Sequence, residues 1–258
     1  MSGNKKKIVI ITGASSGLGW EFALQLDQIL HRTDEIWLIA RRKERLVRLA
    51  RQLDIPSRTI ALDVTKAEEL LALKKLLEIE EVSIRMLINC AGFGLMGQFA
   101  DLDIEEQVNM LEVNCKALVR MTHHCLPYMC RNSRIIQLAS SAAFLPQKNF
   151  AVYAASKAFV LSFSRALGEE LKKKQIWVTA VCPGPVDTEF FDIAEKYGSS
   201  LAVKRLTMVS AERVVREALA ASGKRKEVSV CSLPIQAFQV LSKTVPHSWI
   251  MGLMSLLK

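Results

Sequence analysis

The chain has 258 residues, 50% of them hydrophobic and 24% charged, with a formal net charge of +9. That apolar share supports a sizeable core in one large α/β domain or two small ones, and no low-complexity tract interrupts it. The basic residues are dispersed and aromatics are few, which excludes a nucleic-acid surface; a polyanionic cofactor, an anionic membrane surface or an ordinary basic exterior each account for the excess.

Cys90, Cys115, Cys125, Cys130, Cys182 and Cys231 form no CxxC pair and no regular framework. They are expected to be reduced thiols of a cytoplasmic protein. Lys5-Lys6-Lys7 ahead of Ile8 to Ile11 imitates the front of a signal sequence, but the apolar run stops at Gly13 and Gly17. No window approaches the ~20 apolar residues that a membrane-spanning helix needs.

Lys7 to Thr12 is a β-branched apolar run that suits a strand buried on both faces. It breaks into Gly13-Ala14-Ser15-Ser16-Gly17-Leu18-Gly19, and a helical pattern follows through Trp20, Phe22, Ala23 and Leu26. Strand, glycine-rich turn and helix together point to phosphate binding. Glycines admit the backbone close to a pyrophosphate, and the helix N-terminus offers amides and a positive dipole end.

A second strand, Glu35 to Ala40, runs into Arg41-Arg42 and a helix from Lys43 to Leu53. In a doubly wound sheet this strand end faces the adenosine ribose, where an acid would favour NAD. Arginine instead offers charge-assisted bonds to a 2′-phosphate, so Arg41, and with less weight Arg42, points to NADP(H) rather than NAD(H). A third strand, Thr59 to Leu62, ends in Asp63-Val64, and a helix covers Thr65 to Leu77. The fourth, Ile84 to Ile88, enters Asn89-Cys90-Ala91-Gly92 beneath the expected cofactor.

A long helix is expected from Ile104 to Met129, with Asn114 inside it. Asparagine is unfavourable mid-helix, so an inward-facing one suggests a buried polar task. Arg134 to Ala139 makes a fifth strand, followed by Ser140-Ser141, Pro146 and another long helix. That helix carries Tyr153 and Lys157, whose four-residue spacing stacks phenol and ammonium on one face. A fixed cation favours phenolate, so Lys157 is expected to bring the tyrosine down from its usual ~10 toward proton exchange at neutral pH.

Gln175 to Val181 is a sixth strand, closed by Cys182-Pro183-Gly184-Pro185. A poorly patterned stretch from Val186 to Val209 holds Phe190, Phe191 and Tyr197, and a loop of that length reads as a lid or binding loop. Ser210 caps a helix through Ala221, and Glu227 to Val230 makes a seventh strand. Alternating strands and helices without a linker argue for one Rossmann-type, doubly wound parallel sheet, a single domain over residues 1–258.

Assembled in this order, the chain resembles the short-chain dehydrogenase/reductase family along nearly its whole length. Thr12 to Gly19 matches the family's TGxxxGxG turn, Asp63-Val64 its adenine-contacting pair, and Pro183-Gly184 its PG turn. Asn89-Cys90-Ala91-Gly92 is similar to the family's NNAG turn, departing at Cys90. Asn114 stands where the family has its catalytic-helix asparagine, and Ser140 lies thirteen residues before Tyr153, with Ser141 as the alternative serine.

The resemblance implies an oxidoreductase interconverting a ketone or aldehyde and an alcohol, with Asn114, Ser140, Tyr153 and Lys157 as its catalytic set. Tyr153 would exchange a proton with the carbonyl oxygen that Ser140 holds. Lys157 would bond the nicotinamide ribose, and Asn114 would position a water. The implied cofactor contacts are Gly13, Ser15, Ser16, Gly17, Leu18, Gly19, Arg41, Arg42, Asp63, Val64, Asn89, Ala91, Gly92, Tyr153, Lys157, Pro183, Gly184, Val186 and Thr188. No metal is implied, and a homodimer or homotetramer is. A cofactor-binding sensor or interaction protein on the same fold is the alternative.

The tail from Pro234 to Lys258 should break at Pro246, and the piece after it is apolar on most of its circumference. It covers an apolar substrate pocket, pairs with a partner subunit or rests on a membrane surface. The first two are favoured because the stretch is short and lightly charged.

Overall fold

The computed structural model describes residues 5–196 and 208–256. Tyr197, Leu257 and Lys258 lie outside the described residues, as does most of the second half of the 186–209 loop. Strands β1 (Lys6–Thr12), β2 (Glu35–Ala40), β3 (Ser57–Ala61), β4 (Val82–Asn89), β5 (Met129–Leu138) and β6 (Trp177–Val181) form the main sheet. A short pair, β7 (Val186–Asp187) and β8 (Val209–Ser210), stands apart, and β9 (Val228–Ser229) completes the sheet in the order β3-β2-β1-β4-β5-β6-β9. Every pairing in it is parallel.

Parallel strands need both faces covered, which is why Ile8 to Ile11 and Ile36 to Ile39 are buried without alternation. Val9 and Ile11 face one core layer with Phe22, Ala23 and Leu26 of helix α1 (Gly17–Ile29), Leu46 and Leu49 of α2 (Lys43–Ala50), and Val214 and Ala218. Ile8 and Ile10 face the other layer with Leu70, Leu73 and Leu77 of α3 (Ala67–Ile79), and with Met121, Leu167 and Leu171.

The expected helix 104–129 runs as unbroken helical backbone from Ile104 to Cys125, made of α4 (Ile104–Leu111), a π-helical turn over Glu112–Ala117 and α5 (Leu118–Cys125). A 3₁₀ turn over Leu126–Tyr128 with Pro127 in its first positions ends it, because proline cannot continue the helical ladder. β5 therefore begins at Met129, five residues before the expected start, and its early part bends at Asn132, where φ is +68°. Helix α6 (Ala151–Leu171) crosses beneath β5 and β6, followed by α7 (Phe190–Ala194), α8 (Ala211–Gly223), α9 (Leu233–Thr244) and α10 (His247–Leu256). Pro246 separates the last two, as expected of it.

Register decides where the site lies. Thr12 pairs with Asn89, and Asn89 with Gln137, so the carboxyl ends of β1, β4 and β5 are level. The strand order reverses between β1 and β4, and that switch point opens a crevice at the carboxyl edge.

Candidate active site

Gly13 and Gly17 have φ of +68° and +53°, a conformation that costs other residues strain. A Cβ on Gly13 would stand 2.7 Å from the Ala91 nitrogen, and one on Gly19 would stand 2.3 Å from the Gly13 oxygen. The turn is thus pressed against both the β4 turn and α1. Thr12 Oγ1 reinforces this contact by accepting the amides of Cys90 and Ala91 at 3.1 and 3.2 Å. No side chain caps α1, and its first turn holds no acid. An anion-accepting helix start over a cradle that any Cβ would fill fits a dinucleotide pyrophosphate.

At the end of β2 it is Arg42, rather than Arg41, that reaches this turn. Arg42 Nη2 donates to Ser16 Oγ at 2.7 Å and to Ser15 Oγ at 3.1 Å, and Nε donates to Ser15 Oγ at 3.2 Å. Arg41 is exposed and acts on Asp63 through its charge. Burial pushes the Asp63 carboxyl up, but hydrogen bonds from Thr65 and the charges of Arg41 and Lys66 outweigh it and leave the group below its ordinary value. Val64 is buried and lines a small cavity with Thr12, Asn89 and Ala91. The Asn89 side chain turns into the sheet, giving its amide hydrogens to Thr122 Oγ1 at 3.0 Å and Gln137 Oε1 at 2.9 Å.

Asn114 sits in the π-helical turn, a local widening that recurs at functional sites. Its Nδ2 donates to the Phe93 carbonyl at 2.9 Å and to Ser156 Oγ at 3.0 Å, while its Oδ1 accepts the Phe93 amide at 3.1 Å. Lys157 Nζ donates to the Leu138 carbonyl at 2.7 Å. A Cβ on Gly92 would lie 2.8 Å from Asn114 Oδ1 and 3.4 Å from Lys157 Nζ, so the two polar groups converge above that glycine. The Lys157 ammonium stands 5.7 Å from the Tyr153 ring centre.

Tyr153 is stacked on Phe150 with ring centres 4.2 Å apart and is met by Phe190 of α7 at 5.5 Å. Gly94 completes this enclosure, since a Cβ there would stand 2.8 Å from both the Phe190 and Tyr153 rings. Burial pushes the Tyr153 phenol up to about 12, against a hydrogen bond with Ser140 that lowers it. The expectation that Lys157 would bring the phenol down does not hold in this enclosure: burial dominates the Tyr153 shift, and only Ser140 acts to lower it. Burial also lowers Lys157 to about 8, opposed by the nearby thiols Cys90, Cys115 and Cys182.

Of the two candidate serines, Ser140 is the one that acts on the phenol, lowering it against the effect of burial. Its Oγ also accepts the Ala142 amide at 3.1 Å, while the Ser141 amide donates to the Pro183 carbonyl at 2.8 Å. Thr188 faces the glycine turn, 3.4 Å from where a Gly17 Cβ would be. Val186, in β7, is buried beside it. Gly184 lies beneath Ile235 of α9.

Residues 7–197 match the family model described as short chain dehydrogenase. The chain belongs to the short-chain dehydrogenase family. An uncharacterized oxidoreductase of Staphylococcus epidermidis is 34% identical over 186 residues, covering 71% of this chain and 80% of the relative. A solved short-chain dehydrogenase from Sphingobium yanoikuyae in complex with NADPH is 28% identical, covering 96% of this chain and 95% of its own, with a TM-score of 0.78. A short chain dehydrogenase/reductase from Burkholderia phymatum in complex with NAD shares the fold, at 21% identity, 93% and 94% coverage and a TM-score of 0.80.

In this short-chain dehydrogenase, two contributors to the site are not evident from sequence patterns. Ser156 lies between Tyr153 and Lys157; its Oγ accepts from Asn114 and donates to the Tyr153 carbonyl at 2.7 Å. Glu189 pairs with Arg42 at 3.1 Å and with Arg45, across 147 and 144 residues, and carries no local signal at all.

Proposed function

We propose that this short-chain dehydrogenase is a cytoplasmic, NADP(H)-dependent oxidoreductase that interconverts a ketone or aldehyde and an alcohol. Its main direction is reduction of a largely apolar carbonyl. The observation that carries this reading is the burial of Tyr153, Lys157 and Asn114 together beside the glycine cradle, with Ser140 on the phenol. Leu18, Gly19, Ala91, Gly92 and Pro183 line the same edge as the cradle.

The glycine turn, Arg42 and Lys157 would hold the dinucleotide, whose nicotinamide would supply the hydride-transfer chemistry. Tyr153 gives its phenolic proton to the carbonyl oxygen, and a phenol near 12 is fully protonated at neutral pH, ready to donate. Ser140 donates to the same oxygen and stabilises the charge that develops on it. Lys157 would bond the cofactor's ribose, and with Asn114 it would hold a water through which Tyr153 regains its proton. Phe150, Phe190 and Phe191, with Leu95 and Met96, surround this point with apolar surface, which supports an apolar substrate. Arg41 and Arg42 at the end of β2 support NADP(H), with Arg42 the closer to the turn.

Self-association as a homodimer or homotetramer belongs to the same reading. Ile104, Val108 and Leu111 of α4 are exposed. So are Ala151, Ala155, Ala158, Phe159 and Ala166 on the outer face of α6, whereas Ala154 turns inward. A panel of carbonyls with NADPH consumption as readout tests the assignment, with Tyr153→Phe as control. The variant should lose turnover by ~10²–10⁴-fold while binding NADPH normally. A wild type inert toward every carbonyl would favour the sensor reading instead.

A further inference from the structure

We infer that Glu189 competes with the 2′-phosphate of NADP(H) for Arg42 and thereby limits how strongly the enzyme prefers the phosphorylated cofactor. The inference rests on the NADP(H) reading above. Arg42 lies over the glycine turn with all three of its guanidinium nitrogens engaged. Nε and Nη2 donate to the Ser15 and Ser16 hydroxyls, and Nη1 donates to the Glu189 carboxylate at 3.1 Å.

These partners differ in how they tolerate a second anion. A serine hydroxyl can rotate and donate to a phosphate oxygen, so Ser15 and Ser16 can remain beside an incoming 2′-phosphate. The Glu189 carboxylate only accepts, and it repels the phosphate that would share its arginine. Bonds from Arg45 and Arg42 hold the Glu189 carboxyl below its ordinary range, so it is ionised at neutral pH. Arg45 also gives Glu189 somewhere to stay when Arg42 is taken. An unphosphorylated ribose makes no such demand on Arg42 and leaves the pair intact. Because Arg42 and Glu189 are 44% and 41% exposed, solvent screens the competition to a few-fold effect.

Calorimetric titration of the full chain with 2′,5′-ADP and with 5′-AMP tests this without turnover, since neither probe carries nicotinamide. Glu189→Gln should bind 2′,5′-ADP roughly two- to fivefold more tightly than wild type. Its affinity for 5′-AMP should not change, Glu189→Asp should keep the wild-type values, and added salt should shrink the difference. Unchanged or weaker 2′,5′-ADP binding by Glu189→Gln, or an equal gain for 5′-AMP, overturns the role of Glu189 alone. A wild type that binds both probes alike overturns the NADP(H) reading and this inference with it.

Discussion

Lys157 Nζ and the Leu138 carbonyl are joined by a 2.7 Å hydrogen bond that pins the lysine to the end of β5. The bond holds the ammonium in a site dry enough to bring it to about 8, well below an exposed lysine. Below that pH the lysine is charged, and above it the ammonium is lost while the Tyr153 phenol, near 12, keeps its proton. If the ammonium is the required form, kcat/KM for NADPH, which reports the free enzyme, should fall about tenfold per pH unit above roughly 8. A profile flat to pH 10 would overturn this, meaning either that the ammonium is not lost near 8 or that its charge is dispensable.

Arg42 and Arg41 should differ in a way that their adjacency conceals. Arg42→Ala removes the guanidinium that lies over Ser15 and Ser16 and should weaken NADPH binding by roughly ten- to a hundredfold, the scale of charged hydrogen bonds. Arg41→Ala should cost less, because that side chain is exposed and acts on Asp63 through its charge. Fluorescence titration of both variants decides it, and a larger loss for Arg41→Ala would reverse the assignment.

Gly94 limits the space around the proton donor. In Gly94→Ala the new methyl would stand 2.8 Å from the rings of Tyr153 and Phe190, and one of them must move. Turnover should drop by about 10–10²-fold through misplacement of the phenol, with NADPH affinity within about twofold of wild type. Recovery in Gly94→Ala/Phe190→Leu would identify Phe190 as the group in the way. Normal turnover in the single variant would mean that the enclosure is loose.

The tail should act on the substrate side. Ile235 packs on Gly184, and Phe238 meets Phe144 at 6.4 Å, close to Ser140. Trp249 is 74% exposed on α10 and is open to a partner subunit or a lipid interface. Truncation after Pro246 should raise KM for hydrophobic carbonyls or dissociate the oligomer, with cofactor binding intact. If it changes neither but abolishes sedimentation with anionic liposomes, α10 is a membrane contact.

What could be read without coordinates depended on distance along the chain. The β1 to α1 turn was legible because strand, glycines and helix act within a dozen residues. Tyr153 and Lys157 were legible because four residues of helix place them on one face. The π-helical widening within 104–125 was not, since the turn around Asn114 depends on its bonds to Phe93 and Ser156, 21 and 42 residues away. Arg41 was favoured over Arg42 because nothing local separates two adjacent arginines at a strand end.

By itself, then, the sequence determined the parallel sheet, the glycine-rich turn and the placing of Tyr153 and Lys157 on one helical face. Each follows from periodicity or from spacings short enough for backbone geometry to specify, while Asn114 was tied to them through the family resemblance. Only the tertiary structure decided which arginine lies on Ser15 and Ser16, that Glu189 holds it, and that Phe150 and Phe190 enclose the phenol. The direction of the Tyr153 shift belongs to that second group, because desolvation is set by groups that pack from other parts of the chain and not by the charge four residues away.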